Sequence, residues 1–225
     1  MPRYIAIDGP VASGKSAVGS RVARRLGYRF IDTGVMYRAL TWLTLERGID
    51  LHDEEALSRL AEGVSITIEA ASPGATDASR VLVDGVDMTE RLRSTEVGEA
   101  VSLVSRVPAV REAMVAMQRD LAGQGDVVMV GRDIGTVVLP DAPLKVYLDA
   151  SPEERVRRRY EELLSMGREA SPQQVRDELA LRDAIDSERA VSPLRPAADA
   201  VIIHTDHLSL DEVVERILEL VPCRS

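Results

Sequence analysis

The stretch IAIDGPVASGKSAVGSRV, positions 5–22, restricts what this chain can fold into more than any other. Tyr4-Ile5-Ala6-Ile7 is a short apolar run that ends in Asp8-Gly9-Pro10, the pattern of a buried strand entering a turn. Past Lys15, Val18, Val22 and Leu26 recur at helical spacing, and Gly27 supplies a stop. Strand and helix are joined by Gly9-x-x-x-x-Gly14-Lys15-Ser16. Glycines there let the backbone curl so that several N–H groups face one anion, and the following helix adds its positive end. Lysine is a compact charge on a stem long enough to reach outer phosphates. A serine hydroxyl suits Mg²⁺, which keeps most of its waters. Gly9, Pro10, Val11, Ala12, Ser13, Gly14, Lys15, Ser16 and Ala17 are therefore candidate nucleoside-triphosphate contacts, with Lys15 catalytic and Ser16 the metal ligand. Of 28 basic residues only Lys15 and Lys145 are lysine, so lysine here is not an interchangeable cation.

The rest of the chain alternates strand and helix signals. Phe30-Ile31 precedes a helix carrying Met36, Leu40 and Leu43 and ending near Gly48, and a third helix is expected over 53–62. Val64, Ile66, Ile68 and Ala70 alternate as in a half-exposed strand. A loop over 72–79 and two short strands about Asp84-Gly85 follow. Residues 64–90 are thus expected to form a small antiparallel insertion. Helical spacing returns at Val97, Val101 and Val104, then at Val110, Met114, Met117 and Leu121. Val127-Val128-Met129-Val130, Leu144 to Leu148 and Val201-Ile202-Ile203 read as strands. Ser151, Ser171 and Ser209 each open a helix with a capping-box pattern. Such alternation predicts an α/β fold, a parallel sheet wrapped by helices.

Net charge is −9, which argues against broad binding of a nucleic-acid polymer but not against a small basic pocket. No apolar run is long enough to span a membrane, and no signal-peptide layout precedes the first strand. The single cysteine, Cys223, cannot form an internal disulfide, so a cytoplasmic protein is expected.

The loop alone does not name a reaction. A GTPase switch needs Asn-Lys-x-Asp to read guanine, and Lys145 is followed by Val146. A P-loop ATPase or nucleotide-binding protein acting through a partner stays open. A kinase for a phosphate acceptor needs no base for an already ionised group, but must offset repulsion between polyanions, which converging arginines do. Arg38, just inside the second helix, and Arg132 and Asp133, just past a strand, sit where open parallel sheets bind ligands. Asp133 also reads as a magnesium-binding carboxylate. Arg155, Arg157, Arg158 and Arg159 read equally as a solvated helix face or as a flap over a triphosphate.

Four segments together, IDGPVASGKS, IDTGVMYRAL, GRDIGTVVLPDAPLKVYLDAS and RDAIDSERAVSPLRPAADA, resemble the bacterial cytidylate kinase family. Thr33 stands where serine is common in that family. The resemblance implies a P-loop NTP hydrolase fold with a five-stranded parallel sheet in a single domain spanning 1–225. It places an acceptor-binding region at about 33–125 that includes the insertion, and a helical lid at about 151–170. It implies transfer of the γ-phosphate of ATP to CMP or dCMP with Mg²⁺, by a monomer. Thr33, Arg38 and Arg132 are then expected on the acceptor phosphate. Ser102, Arg111, Asp133 and Arg189 are expected on cytosine, and Arg182 and Asp186 at the sugar. Arg155, Arg157, Arg158 and Arg159 become lid arginines facing ATP, with Arg132 completing the charge-neutralising set. Cytosine presents an amine beside two acceptors, so a carboxylate such as Asp133 would accept from the amine and meet a repelling carbonyl in uracil.

Overall fold

A computed structural model describes residues 3–69 and 80–221. The expected loop over 72–79, Ala70 and Cys223 lie outside the described residues. Strand β1 (Tyr4–Asp8) leads through the glycine loop into α1 (Lys15–Leu26), β2 (Arg29–Asp32), α2 (Thr33–Glu46) and α3 (Glu54–Gly63). Short strands β3 (Ile66–Glu69), β4 (Arg80–Val83) and β5 (Val86–Asp87) follow, then a 3₁₀ turn, α4 (Thr95–Ser105) and α5 (Pro108–Ala122). The chain returns to β6 (Val127–Gly131), a single π turn (Ile134–Val138) and β7 (Leu144–Asp149). It closes with α6 (Pro152–Ser165), α7 (Pro172–Glu188), β8 (Val201–His204) and α8 (Leu210–Leu220).

The main sheet has five strands in the order β2-β6-β1-β7-β8, all parallel. The connection from β1 runs past β6 to β2, whereas that from β6 runs past β1 to β7, so these adjacent strands send the chain in opposite directions and a crevice opens beyond their carboxyl ends. Every residue of β6 is buried, which explains its unbroken apolar run. One apolar cluster beneath the sheet joins Ala6, Ile31 and Met129 to α2 and α5. The other joins Ile7, Val128 and Leu148 to α1 and α8.

β3, β4 and β5 form the antiparallel insertion. Ile66, Ile68, Val81 and Val83 point inward and share the cluster of Leu40 and Leu57, so the insertion is continuous with the core beneath α2. Its first strand begins later than the alternation suggested, because Val64 ends α3 instead. Of the three expected capping boxes, those at Ser171 and Ser209 close in both directions. At Ser151 only half forms: its oxygen caps Glu154, but Glu154 is drawn to Arg157 and Arg158, and Asp206 takes the Ser151 amide instead.

Candidate active site

The loop after β1 is shaped by contacts that leave no room for side chains at its first turn. A Cβ on Gly9 would lie 2.3 Å from the Leu148 carbonyl oxygen of β7. Gly14, with φ of 91°, caps α1 in a left-handed conformation that costs other residues energy. Among the described residues no side chain caps α1, so its first amides are available to an anion. Lys15 is buried at the start of α1, and Nζ donates to the Pro10 carbonyl at 2.8 Å. Burial, and then the charge of Arg132, push its ammonium well below the usual lysine range, against the pull of Asp32, Asp186 and Asp8. A polyanion beside Nζ restores the charged form.

Ser16 Oγ donates to Asp32 Oδ2 at 2.6 Å, while Asp32 Oδ1 accepts from the Gly34 amide at 2.9 Å and caps α2. A hydroxyl beside a carboxylate at the mouth of a phosphate loop fits Mg²⁺, which takes one or two protein oxygens and fills its octahedron with waters and phosphates.

Past this loop lies a cavity of about 450 Å³, whose walls include Gly14, Lys15 and Ser16 together with Thr33, Arg38, Ser102, Arg111, Arg132, Asp133, Arg182, Asp186 and Arg189. Five separate elements deliver these nine side chains to one place. Thr33 and Arg38 come from α2, Ser102 from α4 and Arg111 from α5, while Arg182 and Asp186 stand one turn apart on α7. Arg132 and Asp133 leave the end of β6, and Arg189 ends α7.

The electrostatics favour an anionic guest. Arg38 has no salt bridge among the described residues; burial, and next the charge of Arg182, lower its pKa to about 10. Arg132 Nε donates to Asp186 at 2.8 Å, and Arg189 stands 3.7 Å from the same carboxylate. Burial opposes ionisation of Asp186, but Arg132 and Arg189 outweigh it and hold the carboxyl below the usual aspartate range. Nε of Arg182 and a terminal nitrogen of Arg189 are buried with no hydrogen-bond partner among the described residues. Unpaired buried donors of this kind are costly unless a ligand meets them. Thr33 Oγ1 donates to the Val130 carbonyl at 2.9 Å, which leaves its lone pairs rather than its proton toward the cavity.

At the far wall, Arg111 pairs with Asp133 where both are almost fully buried, and the Tyr37 ring lies 5.3 Å from the Arg111 guanidinium. Burial pushes the Tyr37 phenol up to about 12. The pair leaves Asp133 opposite an arginine.

The four arginines of α6 divide. Arg158 reaches the Ser13 carbonyl at 3.4 Å and the Thr205 carbonyl at 2.8 Å, and with Arg159 it lines the cavity. Arg155 is buried beneath, 2.6 Å from Asp183 and 3.4 Å from the Val11 carbonyl, tying α6 to α7 and to the loop. Arg157 lies on the outer face of α6 between Glu154 and Glu161, its side chain 55% exposed, away from the cavity wall. The solvated-face reading describes Arg157, and the inward reading describes its neighbours. α6 and α7 pack through Val156, Leu163, Val175 and Leu179, with Val11 of the loop against them. A second cavity of about 1030 Å³ shares Ser16, Asp32 and Arg38 with the first and is also lined by Leu163 and Val175 of this helical pair and by Ile68, Val81 and Leu92.

Three residues at or behind the site were missed in the sequence. Asp32 is readable in hindsight as a helix cap, Tyr37 as a helical neighbour of Arg38, but Asp8 meets its partners only through strand order.

The fold and its phosphate loop define a P-loop kinase. A cytidylate kinase family profile matches residues 5–223. The chain is 54% identical over 217 residues to the cytidylate kinase of Geobacillus kaustophilus (strain HTA426), covering 96% of this chain and 95% of that one. It is 50% identical over 216 residues to the cytidylate kinase of Desulfitobacterium hafniense (strain Y51), covering 96% and 91%. The chain belongs to the cytidylate kinase family. Among solved structures, an uncharacterized protein from Eubacterium ventriosum ATCC 27560 matches with a TM-score of 0.51 at 12% identity over 99% of each chain, a likeness of fold alone.

Proposed function

We infer that this chain is an ATP-dependent nucleoside monophosphate kinase that passes the γ-phosphate of ATP to CMP or dCMP, giving CDP or dCDP and ADP. One observation carries the reading: side chains suited to an acceptor phosphate, a sugar and cytosine share one 450 Å³ cavity that opens onto the phosphate loop. Family membership across nearly the whole chain supports the same substrate class.

The chemistry follows from the charges. The amides of residues 9–17 and Lys15 hold the triphosphate of ATP. Arg38 and Arg132 hold the acceptor phosphate, which is largely ionised near neutral pH and needs no general base. Repulsion between the two anions is the main obstacle, and preset cations remove it without reorganising in the transition state. Lys15, Arg132, Arg158 and Arg159 stand around the path of the transferred group; Arg155 holds the lid helix over it. Ser16, with Asp32 beside it, would hold Mg²⁺, which would supply charge neutralisation for the donor phosphates. Asp133 and Arg111 read cytosine as an acceptor and a donor side by side. Arg182 and Asp186 border the sugar. Closure of α6 and α7 excludes water, which otherwise competes for the γ-phosphate.

Coupled ADP release tests this directly, with ATP and CMP, dCMP, UMP or AMP. Turnover with CMP and dCMP far above UMP and AMP is expected. ATP hydrolysis indifferent to every monophosphate would instead mark an ATPase acting through a partner.

A further inference from the structure

Asp8 is the last residue of β1, it is 3% exposed, and the phosphate-transfer chemistry above does not use it. Its two carboxylate oxygens accept separate hydrogen bonds from the backbone amides of Ile134 at 2.7 Å and Gly135 at 2.8 Å. Those amides belong to the residues that immediately follow Arg132 and Asp133. β1 and β6 are adjacent parallel strands in which Asp8 aligns with Gly131, so Asp8 faces the turn as it leaves the sheet. Asp133 has φ of −145° and ψ of 26°, outside the regular helical and strand regions, and opens a single π turn. The turn's own residues do not dictate such a conformation. The buried Asp8 carboxylate, accepting two of its amides, holds it, because each bond is charge-assisted and directional.

We propose that Asp8 is a positioning residue: it fixes the 132–135 turn to the strand that carries the phosphate loop, and thereby sets Arg132 and Asp133 against the acceptor nucleotide. This rests on the role given above to Arg132 and Asp133. The residue next to Asp8 starts the loop for the donor phosphates, so one side chain sets the spacing of the two substrates.

Asp8→Asn keeps the size but leaves one acceptor oxygen and turns an N–H donor toward a backbone N–H. The KM for CMP should rise about tenfold, equivalent to about 1.4 kcal/mol, while the KM for ATP stays within about twofold. The preference for CMP over UMP should narrow by about tenfold as Asp133 shifts. Gly135→Ala approaches the same bond from the other side, since a Cβ there would sit 3.4 Å from the Asp8 carboxylate and 3.2 Å from the Lys145 side chain. It should produce the same split, and it carries the test if Asp8→Asn does not fold. Equal rises in the KM for ATP and CMP would overturn the proposal, since they place Asp8 in service of the phosphate loop. Folded variants with wild-type constants for both substrates would overturn it as well. Wild-type protein lacking any preference for CMP would instead refute the cytosine reading, a separate result visible before any variant is made.

Discussion

At the residue scale the site is a set of buried charges whose worth depends on who their partners are. The Arg111–Asp133 pair is the clearest case. Removing one member of a buried pair strands the other, at a cost of about 3–5 kcal/mol. Asp133→Ala should therefore lower stability enough to blur any kinetic effect, whereas Asp133→Asn retains an acceptor oxygen toward Arg111. We expect Asp133→Asn to lose about 1–3 kcal/mol of discrimination between CMP and UMP, read as the ratio of their kcat/KM values. A ratio equal to that of the wild type, together with lost magnesium dependence, would move Asp133 to the metal. Asp8 gives a pH signature of its own. Burial raises its pKa from 3.8 to about 6, with Asp133 adding to the rise and the Ile134 and Gly135 amides and Lys15 opposing it. Between those values the folded protein holds a proton that the unfolded chain does not. The contribution of this group to stability is therefore full at low pH and is lost as pH rises through 6, by about 3 kcal/mol in all. Denaturant titrations of wild type and Asp8→Asn should show the wild type gaining on the variant as pH falls from 7 to 4.5. A gap that shrinks over that interval would contradict the burial account.

At the element scale, what could be read in the sequence was what local chemistry dictates. Apolar spacing with a glycine stop marked α1 and α2, apolar spacing alone marked α5, and a serine cap marked α8, because each signal acts within one or two helical turns. The apolar run of β6 and the Asp84-Gly85 turn were equally legible. The π turn after Asp133 was not, since it depends on the carboxylate of Asp8, 126 residues away. Nor was the split among the α6 arginines, which follows from how α6 packs against α7 and the loop. Arg157 sits between glutamates one turn away on each side, and that local pattern was the available clue. Two outcomes follow for the lid. Arg157→Ala should leave the KM for ATP within about twofold, as expected for an exposed pair, while Arg158→Ala should raise it at least tenfold by removing a charged group from the loop. Equal effects would mean that α6 rotates on closing. Ser171→Ala opens one capping box and should cost about 1 kcal/mol of stability, measured by thermal unfolding, without changing the KM for CMP.

At the scale of the whole molecule, sheet order does the assembling. Because β1 pairs with β6, the phosphate loop after β1 and the 132–135 turn after β6 leave the sheet side by side. The nine residues proposed for the acceptor span 33 to 189 in sequence, and their meeting in one cavity follows from this order and from α7 folding back across it. Sequence spacing could nominate Arg38, Arg132 and Asp133 because each follows a strand. Ser102, Arg111, Arg182, Asp186 and Arg189 carry no local mark of function, and only the resemblance of their segments to a known family nominated them. The central claim is that the 450 Å³ cavity seats the acceptor. A crystal structure with CMP and a non-hydrolysable ATP analogue tests it most directly. The account predicts the CMP phosphate within hydrogen-bond distance of Arg38 and Arg132 and the cytosine amine on Asp133. CMP in the larger groove between the lid and the insertion, with Asp133 still paired only to Arg111, would contradict it.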